Sequence, residues 1–312
     1  MRIPRQIYPE KHTNWLPDGA GLWRYVPLRT LFYYLSGSVF IPSVEKLRQA
    51  DPFEGEFHFE SWYFDEAMQG RYGKEFSDLR AWMFREHCTS REQQDIVHNG
   101  ENSEFAARLF EKRYFQFVRK TRFAWCWLFS DFESAAMWSV YRNQGAAVAT
   151  TVGQLCQTFL KKERDFVFGR MRYIHVDQGA IRDLDPEDPE DPHDPPFVLQ
   201  PHFLKRREYE SEKEVRFVTT GPENRHGGGI CVGGIDPNAW IQKIRLWPMM
   251  SSSEETACKK AIDLVAPGIH CQRSELMISD ERFAAELRCM ELAEQQWKDG
   301  TDGIPAALKQ VN

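Results

Sequence analysis

The stretch AAVATTV at residues 146–152 runs directly into GQLCQTFLKK at 153–162, and VFGRMRYIHV follows at 167–176. The first and third segments have the β-rich composition of strands, and the middle segment is predicted to be a helix. Further β-rich segments occur at 214–219, 230–232, 241–247 and 269–272, with a helix predicted at 252–266. Because strands and helices alternate irregularly, the sequence predicts an α+β fold with a mixed central sheet flanked by helices.

The N-terminal half is predicted to be mostly helical, with helices at 44–50, 75–87, 104–122 and 134–143, the first capped by Ser43. A single domain is expected over residues 1–312. Residues 183–196 combine seven acidic side chains with repeated prolines, which predicts an exposed acidic loop. The pattern at 280–298 predicts a helix that begins a C-terminal tail, 280–312.

Composition limits the classes of protein that the chain can represent. Its seven cysteines include no C-x-x-C pair, which favours reduced thiols in a cytoplasm and excludes the ligand spacing of a zinc site. No run of about 18 apolar residues occurs, so no membrane span is expected. The net charge is −6, but the seven acids of 183–196 leave the remainder at −6 + 7 = +1, so net charge does not identify a partner.

Two early patches are candidate sites. In LWRYVP at residues 22–27, Arg24 either packs its stem on neighbouring rings or is held for an anionic ligand, with Tyr25 as a stacking surface. In DPFEG at residues 51–55, Asp51 either forms a local turn or joins Glu54 in a metal or catalytic site. Both alternatives remain open from the residues alone.

Two later patches carry aromatic and acidic side chains. Trp138 and Tyr141 share one face of a predicted helix, as a core stripe or as the wall of a cleft. In ESEKEVRF at residues 210–217, strand alternation would put Glu210, Glu212, Glu214 and Arg216 on one face. That face is either the solvated side of an edge strand or an acidic active-site wall in which Arg216 holds a carboxylate.

In this order, the patches resemble an uncharacterised bacterial domain family, some members of which lie among phage-defence genes. The family pattern has an aromatic-basic-Tyr strand, a D-P-F-E element, a C-x-S element followed by M-W-x-x-Y and Gly, Lys with an aromatic residue, and E-x-E-x-R. The matching residues here are Arg24-Tyr25, 51–54, 137–141 with Gly145, Lys205 with Tyr209, and 212–216, and the resemblance covers about residues 22–276. The chain departs from the pattern at Cys126–Ser130, which is lengthened, and at Ser211, where the family often has an aromatic residue.

The layout also distantly resembles ADP-ribosyltransferase-like toxins, which implies a related fold and the use of NAD. That resemblance implies that Glu214 is the catalytic carboxylate, with Glu212 and Arg216 beside it. It further implies that Arg24 binds the pyrophosphate of NAD and that Trp138 or Tyr141 stacks on nicotinamide. The cofactor-binding residues implied in this way are Arg24, Tyr25, Ser43, Trp138 and Tyr141.

The expected function is therefore NAD-dependent ADP-ribosyl transfer in bacterial antiphage defence, with the macromolecular acceptor left open. Arg24, Trp138 and Glu214 are then expected to line one cleft. One alternative is a nucleotide-sensing or partner-binding defence protein without catalysis. Another is a nuclease that holds Mg²⁺ with Asp51, Glu54, Glu212 and Glu214.

Overall fold

The computed structural model of the chain describes residues 5–7, 10, 14–51, 54–55, 116–140, 145–159, 165–174, 176–177, 180–181, 202–221 and 228–276. The helix predicted at 75–87, the acidic loop at 183–196 and the C-terminal helix and tail at 280–312 lie outside these ranges. Among the described residues, no helix has the length and apolar character needed to cross a bilayer.

The described strands and helices alternate irregularly along the chain. The strands are β1 (Arg5–Gln6), β2 (Gly21–Pro27), β3 (Val39–Pro42), β4 (Arg122–Phe129), β5 (Gly145–Thr151), β6 (Phe166–Arg170), β7 (Arg172–Ile174), β8 (Val176–Asp177), β9 (Ala180–Ile181), β10 (Leu204–Arg206), β11 (Glu214–Thr220), β12 (Gly229–Val232), β13 (Lys243–Leu246) and β14 (His270–Arg273). The α-helices are α1 (Leu28–Leu35), α2 (Val44–Leu47), α3 (Ala135–Val140), α4 (Val152–Phe159) and α5 (Ser252–Val265). Residues 116–121 are also helical, and 3₁₀ turns occupy Arg207–Glu212 and Pro237–Ala239.

An eight-stranded mixed sheet forms the centre of the fold, in the order β1-β6-β11-β4-β2-β5-β13-β14. Its outermost pairs, β1/β6 and β13/β14, are parallel, and the pairs between them are antiparallel. Three two-stranded sheets join β10 to β7, β12 to β3 and β8 to β9. The coarse prediction of an α+β fold with a mixed sheet is confirmed.

One face of the sheet, which we call the core face, packs against α1, α4 and α5. Alternate residues of the central strands point to this face, as the two-residue period of a strand requires. Trp125 and Trp127 of β4 pack there with Val215 and Phe217 of β11. The helices contribute Tyr34 of α1, Leu155 and Phe159 of α4, and Ile262 of α5.

The opposite face, which we call the site face, carries two smaller apolar clusters. One joins Trp23 and Tyr25 of β2 to Trp138 of α3 over the small side chains of Ala147 and Ala149. The other lies towards β6 and β11 and contains Val44, Ala124, Met171, Phe203 and Val218. Polar side chains on the site face occur at the margins of these two clusters.

The prediction of a mostly helical N-terminal half is wrong for the residues that the structure describes. β2, β4 and β5 all come from this half, and they are central strands of the large sheet. Of the helix predicted at 104–122, residues 116–121 are helical and Arg122 already begins β4, whereas residues 104–115 lie outside the described ranges. A central strand is apolar on both faces, so the run of β4 lacks the alternation by which a strand is recognised.

Candidate functional site

Two of the patches singled out in the sequence meet through Arg216. The guanidinium of Arg216 donates from Nε to Glu214 Oε1 at 2.6 Å and from Nη2 to Glu54 Oε2 at 2.8 Å. Its Nη1 also donates to Glu54 and to the carbonyl oxygen of His202, the latter at 3.1 Å. Arg216 is 1% exposed, so these acceptors replace the water that a guanidinium would otherwise bind.

Lys205 extends the cluster towards the surface. Its Nζ lies 2.6 Å from Glu212 Oε2 and 3.1 Å from Glu214 Oε2, and 4.8 Å from the centroid of the Tyr209 ring. The side chain of Lys205 is 9% exposed and that of Glu212 is 36% exposed. Glu212 therefore forms the open end of the cluster, and Glu214 is its buried end.

Asp51 and Arg206 form a second arm of the same cluster. Arg206 Nη2 lies 3.0 Å from Asp51 Oδ1 and 3.4 Å from Tyr209 Oη. Its guanidinium carbon lies 5.3 Å from the centroid of the Tyr209 ring, a distance at which a cation–π contact is expected. We define the ion cluster as Asp51, Glu54, Lys205, Arg206, Tyr209, Glu212, Glu214 and Arg216.

The local backbone explains why Glu212 is exposed and Glu214 is buried. Residues Arg207–Glu212 form a 3₁₀ turn that ends at Lys213, whose φ of 42° and ψ of 48° are left-handed. Glu214 then begins β11, and its backbone N–H donates to Tyr173 Oη at 2.7 Å. The prediction that Glu210 and Glu212 share a strand face with Glu214 is wrong, because the strand starts only at Glu214.

The alternative of a solvated edge strand is also wrong for Glu214 and Arg216. β11 lies between β6 and β4 in the sheet. Glu214 is 5% exposed and Arg216 is 1% exposed.

In the DPFEG patch, the local turn is present, since the Glu54 N–H donates to the Asp51 carbonyl at 2.9 Å. The carboxylates of Asp51 and Glu54 nevertheless point into the ion cluster, so the turn positions both of them there.

The charges of the cluster set the protonation of its buried members. Burial alone would raise the pKa of Glu214, but the charges of Arg216 and Lys205 outweigh it and lower the pKa to about 2. Burial would lower the pKa of Lys205, and Glu214 instead raises it above its ordinary value. Glu214 is consequently ionised at neutral pH, and it shares its two cationic partners with Glu54 and Glu212.

Arg24 does not lie beside Glu214. Trp23 pairs with Leu128, which pairs with Glu214, so Trp23 and Glu214 point to the site face. Arg24 is the next residue and points to the core face, where its Nε donates to Tyr34 Oη at 2.9 Å. The cleft predicted from Arg24, Trp138 and Glu214 is therefore not formed as predicted.

The other residues predicted to bind cofactor are mostly occupied by packing. Trp138 and Tyr25 form an edge-to-face pair with ring centroids 4.9 Å apart, and both are at most 2% exposed. Trp138 Nε1 donates to Glu133 Oε2 at 3.1 Å, so its polar edge is satisfied within the fold. The Ser43 hydroxyl accepts from the Lys46 N–H at 3.2 Å and caps α2, as predicted. Tyr141 lies outside the described residues.

Sequence reasoning assigned no chemical role to Lys205, Tyr209 or Tyr173. Lys205 and Tyr209 were matched to the family pattern, and that spacing was the available signal. Tyr173 had no signal, because its contact with Glu214 joins residues 41 positions apart.

The carboxylates of the ion cluster pair with Arg206, Arg216 and Lys205 rather than with one another, which is not the arrangement of a metal site. Among the described residues, no group of three or more His, Cys, Asp or Glu side chains is arranged to hold a metal ion.

Comparison with known proteins adds no assignment. No family model matches the chain, and neither a curated protein nor a solved structure is similar to it. The resemblances described from the sequence motifs therefore stay predictions.

Proposed function

We propose that the ion cluster is the active site of an ADP-ribosyltransferase-like enzyme that uses NAD, with Glu214 as its catalytic carboxylate. The observation that supports this most is the state of Glu214. Its pKa of about 2 keeps it ionised, and Arg216, Lys205 and the Tyr173 hydroxyl fix its position at the start of a central strand. A carboxylate that is charged and immobile before reaction stabilises positive charge without reorganising.

The residues first predicted to hold NAD do not fit it as one cradle, because Arg24 lies on the core face and Tyr25 packs against Trp138. The ion cluster itself contains a more suitable set. Arg206 has a side chain that is 25% exposed, and it lies against the partly exposed ring of Tyr209. A guanidinium suits a phosphate oxygen, and an aromatic ring suits a base or nicotinamide. In this proposal, Arg206 and Tyr209 hold the nucleotide.

Four members of the cluster then have tasks in the reaction. NAD would supply the ADP-ribosyl group: the bond from its ribose to nicotinamide would break, and a nucleophile of the acceptor would form the new bond to the ribose and lose its proton. Glu214 faces the positive charge that develops on the ribose with its fixed carboxylate. Arg216 and Lys205 keep Glu214 ionised and oriented. Glu212 is more exposed, and in this proposal it contacts the acceptor. Following the family resemblance, we propose that the activity serves bacterial antiphage defence.

One observation favours the alternative of a binding protein without catalysis. Asp51, Glu54, Glu212 and Glu214 each contact a cation of the cluster at about ordinary hydrogen-bond distance. Such pairing is also what a stabilising ion network would show. Under this alternative, the cluster binds a nucleotide or a partner protein and turns nothing over.

The decisive experiment replaces Glu214 by Gln, which keeps the shape and removes the charge. We expect nicotinamide release from NAD to fall about 10²–10³-fold, since one electrostatic contact to the transition state is lost. NAD affinity should change little, because the proposed nucleotide contacts belong to Arg206 and Tyr209. Release of nicotinamide and calorimetric NAD binding are measured on the full chain, with cell lysate as the source of acceptor.

Glu255→Gln provides the matched control. Glu255 is a partly buried carboxylate of α5 that pairs with Lys259 at 2.7 Å and Arg273 at 3.4 Å, away from the cluster. The Glu255→Gln variant should release nicotinamide at the wild-type rate. If wild type binds NAD without releasing nicotinamide, the binding alternative replaces the enzyme. If wild type neither binds NAD nor releases nicotinamide, the proposal is wrong.

A further inference from the structure

A second group of polar side chains lies on the site face, at the other end of the sheet. Lys243 and Arg245 alternate with core residues along β13, and they point to the site face beside Ala149 and Ala147 of β5. Glu214, Leu128, Trp23, Ala149 and Lys243 form one row of paired residues across five strands. Four strand spacings of about 4.8 Å separate its ends by roughly 19 Å, so this group is distinct from the ion cluster.

Arg245 has a hydrogen-bonding group that the described part of the chain leaves unused. Its Nε donates to Glu133 Oε1 at 3.0 Å, but its Nη1 is buried and has no hydrogen-bond partner among the described residues. A buried donor without an acceptor is destabilising, so its presence calls for an explanation. The Glu133 carboxylate accepts from Arg245 Nε and from Trp138 Nε1, and neither of its oxygens accepts from Arg245 Nη1.

Lys243 adds a cation whose charge is not neutralised nearby. Its Nζ lies 5.1 Å from the centroid of the Trp23 ring, and no carboxylate of the described residues pairs with it. Lys243 and Arg245 together carry two positive charges against the single charge of Glu133. The partly exposed indole of Trp247 directly follows the strand.

We propose that Lys243 and Arg245 form a binding site for a phosphate group. Arg245 Nη1 donates to one phosphate oxygen, and the ammonium of Lys243 neutralises the charge. Free phosphate and a nucleotide share this chemistry, and a nucleotide also offers a base that can stack on Trp247. The site does not depend on the function proposed for Glu214.

The test uses the full chain, with inorganic phosphate and AMP as separate calorimetric probes. Wild type should bind at least one of them saturably. Lys243→Gln should weaken that binding roughly tenfold or more, as expected for loss of a charge-assisted contact. Arg245→Lys, which keeps the charge and removes the planar donors, should weaken it similarly. Binding of both probes indicates a phosphate site. Binding of AMP alone supports this site only if Lys243→Gln weakens it, because the nucleotide site proposed at Arg206 and Tyr209 would also bind AMP.

Two controls make the result specific. Lys46→Gln removes another lysine that lies over an aromatic ring, with Nζ 5.0 Å from the Phe40 centroid, and should leave the affinity within about twofold of wild type. Arg29→Ala removes an exposed cation that donates to Tyr33 Oη, and it should also leave the affinity unchanged. The proposal is overturned if wild type binds neither probe at millimolar concentration. Equal affinity in Lys243→Gln and Lys46→Gln would overturn it as well.

Discussion

At the scale of single residues, Arg24 shows how a charged side chain can complete a sheet. β2 and β4 pair only through Leu22–Phe129 and Trp23–Leu128. Beyond that point, Arg24 Nη1 donates to the Cys126 carbonyl oxygen, and Nε donates to Tyr34 Oη. The two strands diverge before Cys126, so its carbonyl oxygen has no backbone hydrogen bond to β2, and the side chain of Arg24 supplies the donor instead. The position of Arg24 fits a structural role, and it gives no support to anion binding.

Truncation of Arg24 should therefore reduce stability. We expect Arg24→Ala to lower the free energy of unfolding by about 1–3 kcal/mol, because the Cys126 carbonyl loses its donor in a partly buried setting. Arg24→Lys should recover little of this, since an ammonium lacks the planar fork that reaches two acceptors. Urea unfolding followed by circular dichroism measures both variants.

Arg29→Ala is the control for this prediction. Arg29 also donates to a tyrosine, with Nη2 3.3 Å from Tyr33 Oη, but the contact is exposed. Its loss should change stability by no more than about 0.5 kcal/mol. Equal effects of the two alanine substitutions would contradict the structural role of Arg24.

At the scale of elements, the junction between the 3₁₀ turn and β11 orients the candidate catalytic residue. Lys213 has the only positive φ among non-glycine residues of the described ranges. Its carbonyl accepts from the Phe129 N–H at 2.9 Å, which ties the junction to β4. The left-handed turn separates Glu212 from Glu214, and Lys205 then bridges the two carboxylates.

Substitution of Lys213 should reveal the cost of this conformation. Lys213→Gly should leave stability unchanged or raise it by up to about 1 kcal/mol, because glycine adopts positive φ without steric penalty. Lys213→Val should lower it by about 1–2 kcal/mol, because a β-branched residue fits this region poorly. Thermal unfolding of both variants is the measurement. A valine variant as stable as the glycine variant would show that the junction relaxes.

At the scale of the whole molecule, the ion cluster links distant parts of the chain. Glu54 and Arg216 are 162 residues apart in sequence and hydrogen-bond in the buried region of the site face. Isolated buried charges are costly, so each member of the cluster depends on the others being in place. The cluster therefore forms only when the chain has its native topology. In turn, it stabilises that topology relative to arrangements that would separate its charges.

Removal of one buried partner should be far more damaging than removal of the exposed one. We expect Glu54→Ala to lower the free energy of unfolding by about 3–5 kcal/mol, because Arg216 stays buried with too few acceptors. Glu212→Ala should cost no more than about 1 kcal/mol, since that carboxylate is partly hydrated. Guanidinium unfolding compares the two, and similar losses would mean that the cluster is more hydrated than its burial indicates.

The cluster should also make stability depend on acid. The pKa of Glu214 is lowered from 4.5 to about 2 in the fold, so the stability from its ionised form is present above pH 4.5. That contribution is lost as the pH falls from 4.5 towards 2. Over this interval, Glu214→Gln should lose less stability than wild type, as measured by urea unfolding at each pH. Parallel pH profiles would contradict a lowered pKa of Glu214.

The sequence by itself determined features that depend on neighbouring residues. The cap at Ser43, helices α4 and α5, and the charged character of the 51–54 and 212–216 patches follow from local spacing and side-chain chemistry. The members of the site named from the sequence therefore include Glu54, Glu214 and Arg216. The irregular order of the predicted strands and helices also predicted a mixed sheet.

Only the tertiary structure decided which residues face one another. Arg24 and Glu214 point to opposite faces because the register of β2, β4 and β11 sets the face of every side chain, and a shift of one residue would reverse it. The same long-range pairing brought Lys205 and Tyr173 to Glu214 and buried Trp138 against Tyr25. Register and strand order depend on the packing of the entire core, so the sequence patterns of single segments do not contain them.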